Sequence, residues 1–479
     1  MTKFQQYQLL FYIDGHWRSP EKSQRTMAVI DPSTATEFTR VPMAGLEDIE
    51  SAVNAAHLAF KDWSLTNVEL RLELMERFLL EYEACYEEMV AAISTEMGAP
   101  LQVSREAQAE TGLGHTREAI GAMRSMKLES TTESGARIVR EPIGVCALIT
   151  PWNWPINQIV SKVVPALLAG CCVILKPSEL TPLSADLFAK CIERAGFPAG
   201  VFNLIHGEGV VIGPSLTSHP LVSMVSFTGS TRAGIEIAKS AATTIKRVSQ
   251  ELGGKSANII FADADLDAMV TQGVQECMYN TGQSCDAPTR MLVEACVYDK
   301  AVEIAKRATE SHSIGSAHHE GDHLGPVVSA AQFEKIQNYI QIGIEEGASL
   351  IAGGLGKPKD LKKGYFVKPT LFSDVDNSMR IAREEIFGPV LVLIPFMGED
   401  EAIEIANDSE FGLGAYVSSR DHEKARRVAR RLKSGTVHIN GAPQDYDTPF
   451  GGYKQSGNGR EYSVFGIHEF QEIKAINGW

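Results

Sequence analysis

The sequence predicts an α/β protein of more than one domain, with largely parallel sheets covered by helices on both faces. Three observations predict it. Strand-like and helical segments alternate from Gly144 to Leu252, and strands separated by helices of this length pair in parallel. A second alternation starts near Ala257 and runs to about Asn440. The chain has 479 residues, enough for two to four domains at roughly 100–200 residues each.

The elements follow in order. Asp14-Gly15 marks the turn of a hairpin around Tyr12–Trp17. From Leu46 to about Met126 apolar residues recur with helical periodicity. Short alternating pieces between Met126 and Arg140, split by Ser-Gly, read as an extended arm or hairpin. Strand Val145–Thr150, helix Asn157–Ala169, strand Cys172–Lys176, helix Leu183–Ala195 and strand Phe202–His206 come next. Strand Met224–Thr228 and helix Arg232–Ala241 follow. The second run opens with apolar Asn258–Phe261, helix Leu266–Tyr279 and strand Arg290–Val297. The tail Gly466–Trp479 is mixed, with a strand near Ile473–Ile476. No internal repeat or low-complexity linker interrupts the chain.

Composition excludes several classes. Hydrophobic residues make up 44% and charged residues 22%, which is globular rather than disordered. Net charge is −15, from 45 basic and 60 acidic residues. That disfavours binding to nucleic acid or anionic membrane, which runs on Lys and Arg. No apolar run reaches the ~18 residues of a membrane span, and the N-terminus lacks a signal-peptide pattern. The eight cysteines, Cys85, Cys146, Cys171, Cys172, Cys191, Cys277, Cys285 and Cys296, form no CxxC. This argues against a disulfide scaffold or structural zinc and fits a reducing, cytoplasmic compartment. The histidines His318, His319 and His323 read as a surface loop, and no metal is expected.

Five segments carry chemistry. NTGQSC ends at Cys285 after small and polar Thr281, Gly282 and Ser284. A thiolate there would attack a carbonyl carbon, and the alternative is a small buried hydrophobe. Glu251, followed by Leu252-Gly253-Gly254, stands where one α/β unit ends and the next begins. A half-buried carboxylate at such a junction would activate water, and a solvated loop glutamate is the alternative. PWNWP, Pro151–Pro155, follows the strand ending at Thr150, on the side where parallel strands open to ligand. Asn153 would present an amide donor to an oxyanion, and the alternative is a structural Pro-Trp turn.

FTGSTRAG, Phe227–Gly234, joins a strand to a helix without GxGxxG spacing. Its glycines admit a pyrophosphate to a helix N-terminus, or serve only the turn. Lys176-Pro177-Ser178-Glu179 follows another strand. Glu179 would bond a ribose 2′-hydroxyl and repel a 2′-phosphate, favouring NAD over NADP. An exposed ion pair is the other reading.

In this order and spacing the five segments resemble the NAD(P)-dependent aldehyde dehydrogenase superfamily, of the hydrolytic kind that does not acylate coenzyme A. Glu384-Glu385-Ile386-Phe387-Gly388-Pro389 and Pro449–Gly457 agree, and the resemblance spans about Tyr12 to Ile476. It implies a Rossmann-type NAD-binding domain (residues 1–125 and 143–252) and an α/β catalytic domain (residues 253–440). A small β element (residues 126–142 and 466–479) would bridge subunits of a homodimer or homotetramer. Residues 441–465 would return past the active site.

Carried over residue by residue, the resemblance makes Cys285 the nucleophile, Asn153 an oxyanion donor and Glu251 the base for thioester hydrolysis. Ile149, Thr150, Pro151, Trp152, Lys176, Ser178, Glu179, Gly229, Ser230, Gly234 and Leu252 would line the cofactor site. Glu385 would grip the nicotinamide ribose with Phe387 beside it, and Gln332 and Lys335 would add contacts. The substrate pocket would take Trp154, Gln158, Ser161, Ser284, Asp286, Gln444, Tyr446 and Phe450. Relatives acting on succinate semialdehyde carry an arginine where this chain has Ser161. The polar run Gln444–Asp447 argues against a long apolar tunnel, so a small polar or aromatic aldehyde is favoured. Asp286, beside the thiol, would raise its pKa, select a polar or cationic substrate, or face solvent. Ser463 and Val464 depart from the family pattern. The competing readings are a cofactor-independent thiol esterase and a catalytically silent binding or structural member of the fold.

Overall fold

The structure, a computed structural model, describes residue 4 and residues 7–479. Its first sheet has eight strands in the order Gly457–Asn458, Arg247–Glu251, Met224–Thr228, Val145–Ile149, Cys172–Lys176, Phe202–Leu204, Phe11–Ile13 and His16–Arg18. The five from Arg247–Glu251 to Phe202–Leu204 run parallel. Every residue of Val145–Ile149, Cys172–Lys176 and Met224–Thr228 is buried. That is why these strands read as continuous apolar runs: helices cover both faces.

Strand order reverses at Val145–Ile149. Its neighbour on one side is Cys172–Lys176, the next strand in sequence, and on the other Met224–Thr228. At such a switch point the loops leaving two adjacent strands diverge and open a crevice at the carboxyl ends. Those loops here begin with Thr150 and Gly229.

The second sheet has seven strands, ordered Ser349–Ala352, Thr370–Ser373, Val390–Phe396, Arg290–Glu294, Ala257–Ile260, Gly414–Ser418 and Thr436–Ile439. All but the edge strand Ser349–Ala352 pair in parallel. Residues 252–256 connect the two sheets directly, and Gly457–Asn458 returns to pair antiparallel with Gln250 and Glu251. A third sheet joins Gln471–Ile476, Arg137–Pro142 and Glu129–Thr131, and Glu129–Thr131 is exposed throughout. The α/β fold with two parallel sheets and a small antiparallel element is the one the sequence predicts.

The helical reading of 46–126 needs correction in detail. Helix Leu46–Trp63 stops before Asn67, whose side chain accepts the Leu70 N–H and caps Val68–Ala84. Tyr86–Met97 ends at Gly98, in the left-handed region, with Pro100 just beyond, residues that stop a helix. Ser104–Ala109 then forms a π-helical turn before Glu110–Ser125. Three predicted strands are shorter than expected: they end at Ile149, at Leu204, and at Glu294, where a 3₁₀ turn follows.

Candidate active site

One cavity of about 190 Å³ opens at the switch point. Pro151, Trp152, Asn153, Gly229, Ser230 and Leu252 line it from the first sheet, and Cys285, Gln332, Lys335, Glu385 and Phe387 from the second. The structure thus brings together eleven residues expected at the site, from segments up to 236 positions apart, Pro151 to Phe387. Thr228 and Gly253, which stand within the FTGSTRAG and Glu251–Gly254 segments, also line it.

The thiol sits on a loop shaped by its glycine. Gly282 has φ +69°, and a Cβ there would come within 2.2 Å of the Gly388 backbone, so the approach excludes any side chain. Cys285 is partly exposed, whereas Cys85, Cys146, Cys171, Cys172, Cys191 and Cys277 are buried. Burial first, then the charges of Asp286, Glu385 and Glu251, push its thiol pKa well up, while its own backbone N–H favours the thiolate.

Asn153 is held from several sides. Its side-chain amide donates to the Gln283 carbonyl at 2.9 Å. Its own carbonyl accepts from Gln108 Nε2 and Asn280 Nδ2, both at 3.0 Å. Gln108 comes from the π-helical turn, a distortion that recurs at functional sites. Gln108 and Asn280, which hold the Asn153 carbonyl, were not among the residues expected at the site. The signal in the sequence was weak, since nothing local ties residue 108 to residue 153.

Glu251 ends its strand in register with Thr228 and Gly457. It is 1% exposed, and neither carboxylate oxygen has a hydrogen-bond partner among the described residues. Burial drives its pKa well above the usual carboxylate range, Glu461 adds to this, and Lys162 and Arg460 oppose it. Lys162 and Glu461 form a buried ion pair, missed in the sequence, from the wholly buried helix Pro155–Ala169.

The crevice suits a dinucleotide. Ser230 caps helix Thr231–Ala241, accepting the Ala233 N–H at 3.3 Å, so backbone N–H groups face the opening with the positive end of the helix. A Cβ on Gly234 would stand 2.7 Å from Leu252, which explains a glycine there. Ile149 and Thr150 are buried at the strand end, where Thr150 donates its backbone N–H to Lys176 O at 3.1 Å. The Thr150 and Thr228 hydroxyls, both buried, have no partner among the described residues, so they remain open to a ligand. Lys176 Nζ donates to Glu179 at 2.9 Å, and Ser178 Oγ accepts from Leu180 N at 3.2 Å.

Glu385 Oε1 accepts the Gly254 N–H at 3.0 Å, although burial raises its pKa. Gln332 donates to the Phe387 and Ile386 carbonyls at 2.7 and 3.2 Å. It therefore holds the Glu385–Phe387 loop, and Phe387 meets Trp152 edge-on at 5.4 Å. Burial lowers the pKa of Lys335, while Glu385 and Glu384 raise it.

A second cavity of about 490 Å³ flanks the thiol loop, and Trp154, Ser284, Asp286 and Gln444 line it. Trp154 Nε1 donates to Ser284 Oγ at 2.8 Å. Asp286 faces this cavity. The other expected pocket residues do not line this cavity. Gln158 and Ser161 are buried in their helix, the Ser161 hydroxyl donating to Gln158 O at 3.3 Å. Tyr446 packs edge-on to His115 at 4.7 Å. Phe450 is bridged to Glu461 and its ring lies 5.3 Å from Tyr462. Among the described residues no group of three or more His, Cys, Asp or Glu could hold a metal, and no helix is long and apolar enough to cross a membrane.

The model of the aldehyde dehydrogenase family matches residues 17–476. A Pseudomonas 3-succinoylsemialdehyde-pyridine dehydrogenase is 51% identical over 470 residues, which cover 98% of each chain. An aldehyde dehydrogenase of Bartonella henselae superposes with a TM-score of 0.97 at 49% identity, covering 98% of this chain and 99% of that one. Aldehyde dehydrogenase C of Pseudomonas syringae, a cysteine-to-alanine mutant complexed with NAD+ and octanal, gives 0.96 at 47% identity, covering 98% and 96%. A thiol at the meeting of two parallel sheets, and similarity along nearly the whole chain, have one explanation: this chain belongs to the aldehyde dehydrogenase family.

Proposed function

We propose that the chain oxidises an aldehyde to the carboxylic acid with NAD as hydride acceptor. One observation carries this reading: Cys285 shares a single cavity with Asn153, Glu385 and Phe387 at the switch-point crevice.

The steps follow from these groups. Cys285 attacks the aldehyde carbon as thiolate, and the carbonyl oxygen becomes an oxyanion. The Asn153 amide and the Cys285 backbone N–H stabilise that charge. Bound NAD supplies the acceptor for the hydride that leaves this carbon. The thioester left on Cys285 is then hydrolysed: Glu251 takes a proton from water, the hydroxide adds to the acyl carbon, and the thiolate departs. Lys176, Ser178 and Glu179 would hold the adenosine ribose, Gly229 and Ser230 the pyrophosphate, and Glu385 the nicotinamide ribose. A ribose 2′-phosphate would meet the Glu179 carboxylate, which favours NAD over NADP.

Residues 1–125 and 143–252 are read as the cofactor domain and 253–440 as the catalytic domain. The exposed antiparallel element of 126–142 and 466–479 is read as the surface that joins copies into a dimer or tetramer. The free cysteines fit a cytoplasmic enzyme. The NAD-complexed relative supports the choice of cofactor, and the relative named for a pyridine-bearing semialdehyde supports an aromatic or polar substrate. The test is NADH formation over aliphatic, aromatic, cationic and carboxylated aldehydes, with NAD and NADP each supplied. Turnover with NAD supports the reading, and none with either cofactor defeats it.

A further inference from the structure

The cavity beside the thiol loop has a one-sided charge. Asp286 and Glu276 both line it, and no lysine or arginine is among its described lining residues. The Asp286 carboxylate accepts its own backbone N–H, and Glu276 accepts from Gln272 Nε2 at 2.8 Å. Burial raises the pKa of Glu276, the Gln272 hydrogen bond and His438 lower it, and Asp286 raises it in turn, so the two carboxylates lie within reach of each other's charge. His438 stacks on Tyr416 at 4.6 Å and pairs its Nδ1 with Ala442 O at 2.8 Å. The same imidazole lowers the pKa of both Asp286 and Glu276, so it stands close to the two carboxylates. Trp154 and Tyr279, rings 6.2 Å apart and 30° from parallel, supply aromatic faces.

Two carboxylates and two ring faces with no lysine or arginine beside them suit a positive ligand. A cation gains from carboxylates in a partly desolvated site and from aromatic faces. A carboxylate ligand would meet like charge there. We propose that this cavity selects aldehydes bearing a positively charged nitrogen, an ammonium or a protonated heteroaromatic ring, with Asp286 and Glu276 as the specificity-determining residues. The inference rests on the reaction proposed above and names its substrate class.

The test compares kcat/KM for trimethylammoniobutanal with that for its neutral isostere, in which carbon replaces nitrogen. Octanal and succinate semialdehyde are run beside them. The intact enzyme should prefer the cation at least tenfold, and the preference should shrink as salt screens it. Asp286→Asn and Glu276→Gln should each cut the cation-to-isostere ratio at least fivefold. The ratio cancels any general effect of Asp286 on the neighbouring thiol, and Glu276→Gln repeats the test one helix away. Equal use of the two isosteres, a preference for octanal or succinate semialdehyde, or a ratio unmoved in both variants overturns the inference. Absence of NADH from every aldehyde would instead defeat the reaction it rests on.

Discussion

The side-chain amide of Asn153 is bonded at 2.9 Å to the carbonyl of Gln283, two residues before the thiol of Cys285. A loop from the first sheet and the nucleophile loop of the second are thereby fixed to each other. Asn153 and Cys285 line the same cavity, and in the proposed reaction the second N–H of the amide would meet the oxyanion. Asn153→Ala should lower kcat by roughly 10²–10³-fold, the usual loss for one oxyanion donor. Steady-state kinetics beside a thermal melt would separate this from misfolding, and a variant with near-normal kcat would remove Asn153 from the chemistry.

Glu251 should govern the second half of the reaction. Burial holds its carboxyl well above the usual range, and only the ionised form takes a proton from water. Hydrolysis should therefore speed up as pH rises and the carboxylate fraction grows. Glu251→Gln should give a burst of NADH close to one per site, then slow turnover without that rising limb. Stopped-flow absorbance across pH measures both, and a variant with no burst and normal steady-state turnover contradicts the assignment.

Cofactor choice should turn on Glu179, whose carboxylate accepts from Lys176 at 2.9 Å. Glu179→Ser removes the repulsion of a 2′-phosphate and leaves Lys176 free to attract one. The ratio of kcat/KM for NAD to that for NADP should fall at least tenfold. A ratio that stays the same would show that another group reads the ribose.

Stability should depend on pH through Glu96. It is fully buried and caps helix Pro182–Ala195, accepting the backbone N–H groups of Leu183 and Ser184 at 2.6 and 3.0 Å. Desolvation outweighs these donors and raises its pKa from 4.5 to about 8. The folded state thus binds this proton more tightly than the unfolded chain. The resulting stability is complete below pH 4.5 and is lost as pH climbs through about 8. Melting temperatures of wild type should fall across that window, and Glu96→Gln should flatten the fall. Parallel curves for the two proteins would contradict this.

Much of this architecture was legible because its causes are local. Strands covered on both faces must be apolar throughout, so Val145–Ile149 and Cys172–Lys176 announced themselves. Cys285, Asn153 and Glu251 lie in short motifs whose order carried the family. What escaped notice depends on contacts between distant segments. The ion pair of Lys162 and Glu461 spans 299 positions, and Gln108 reaches Asn280 across 172. The π-helical turn that presents Gln108 leaves no periodicity to read. Gln158, Ser161, Tyr446 and Phe450 lie outside the cavity that holds Trp154, Ser284 and Asp286, because a motif fixes sequence position but not the side of the helix or loop a side chain takes.

The central claim is that an acyl group passes through the sulfur of Cys285. Glu251→Gln enzyme mixed with NAD and an oxidisable aldehyde, then quenched in acid, should show by intact-protein mass spectrometry one added acyl group. Peptide mapping should place it on Cys285, and Cys285→Ala should carry none. NADH formation without any adduct on Cys285, or with the adduct retained in Cys285→Ala, would contradict the account.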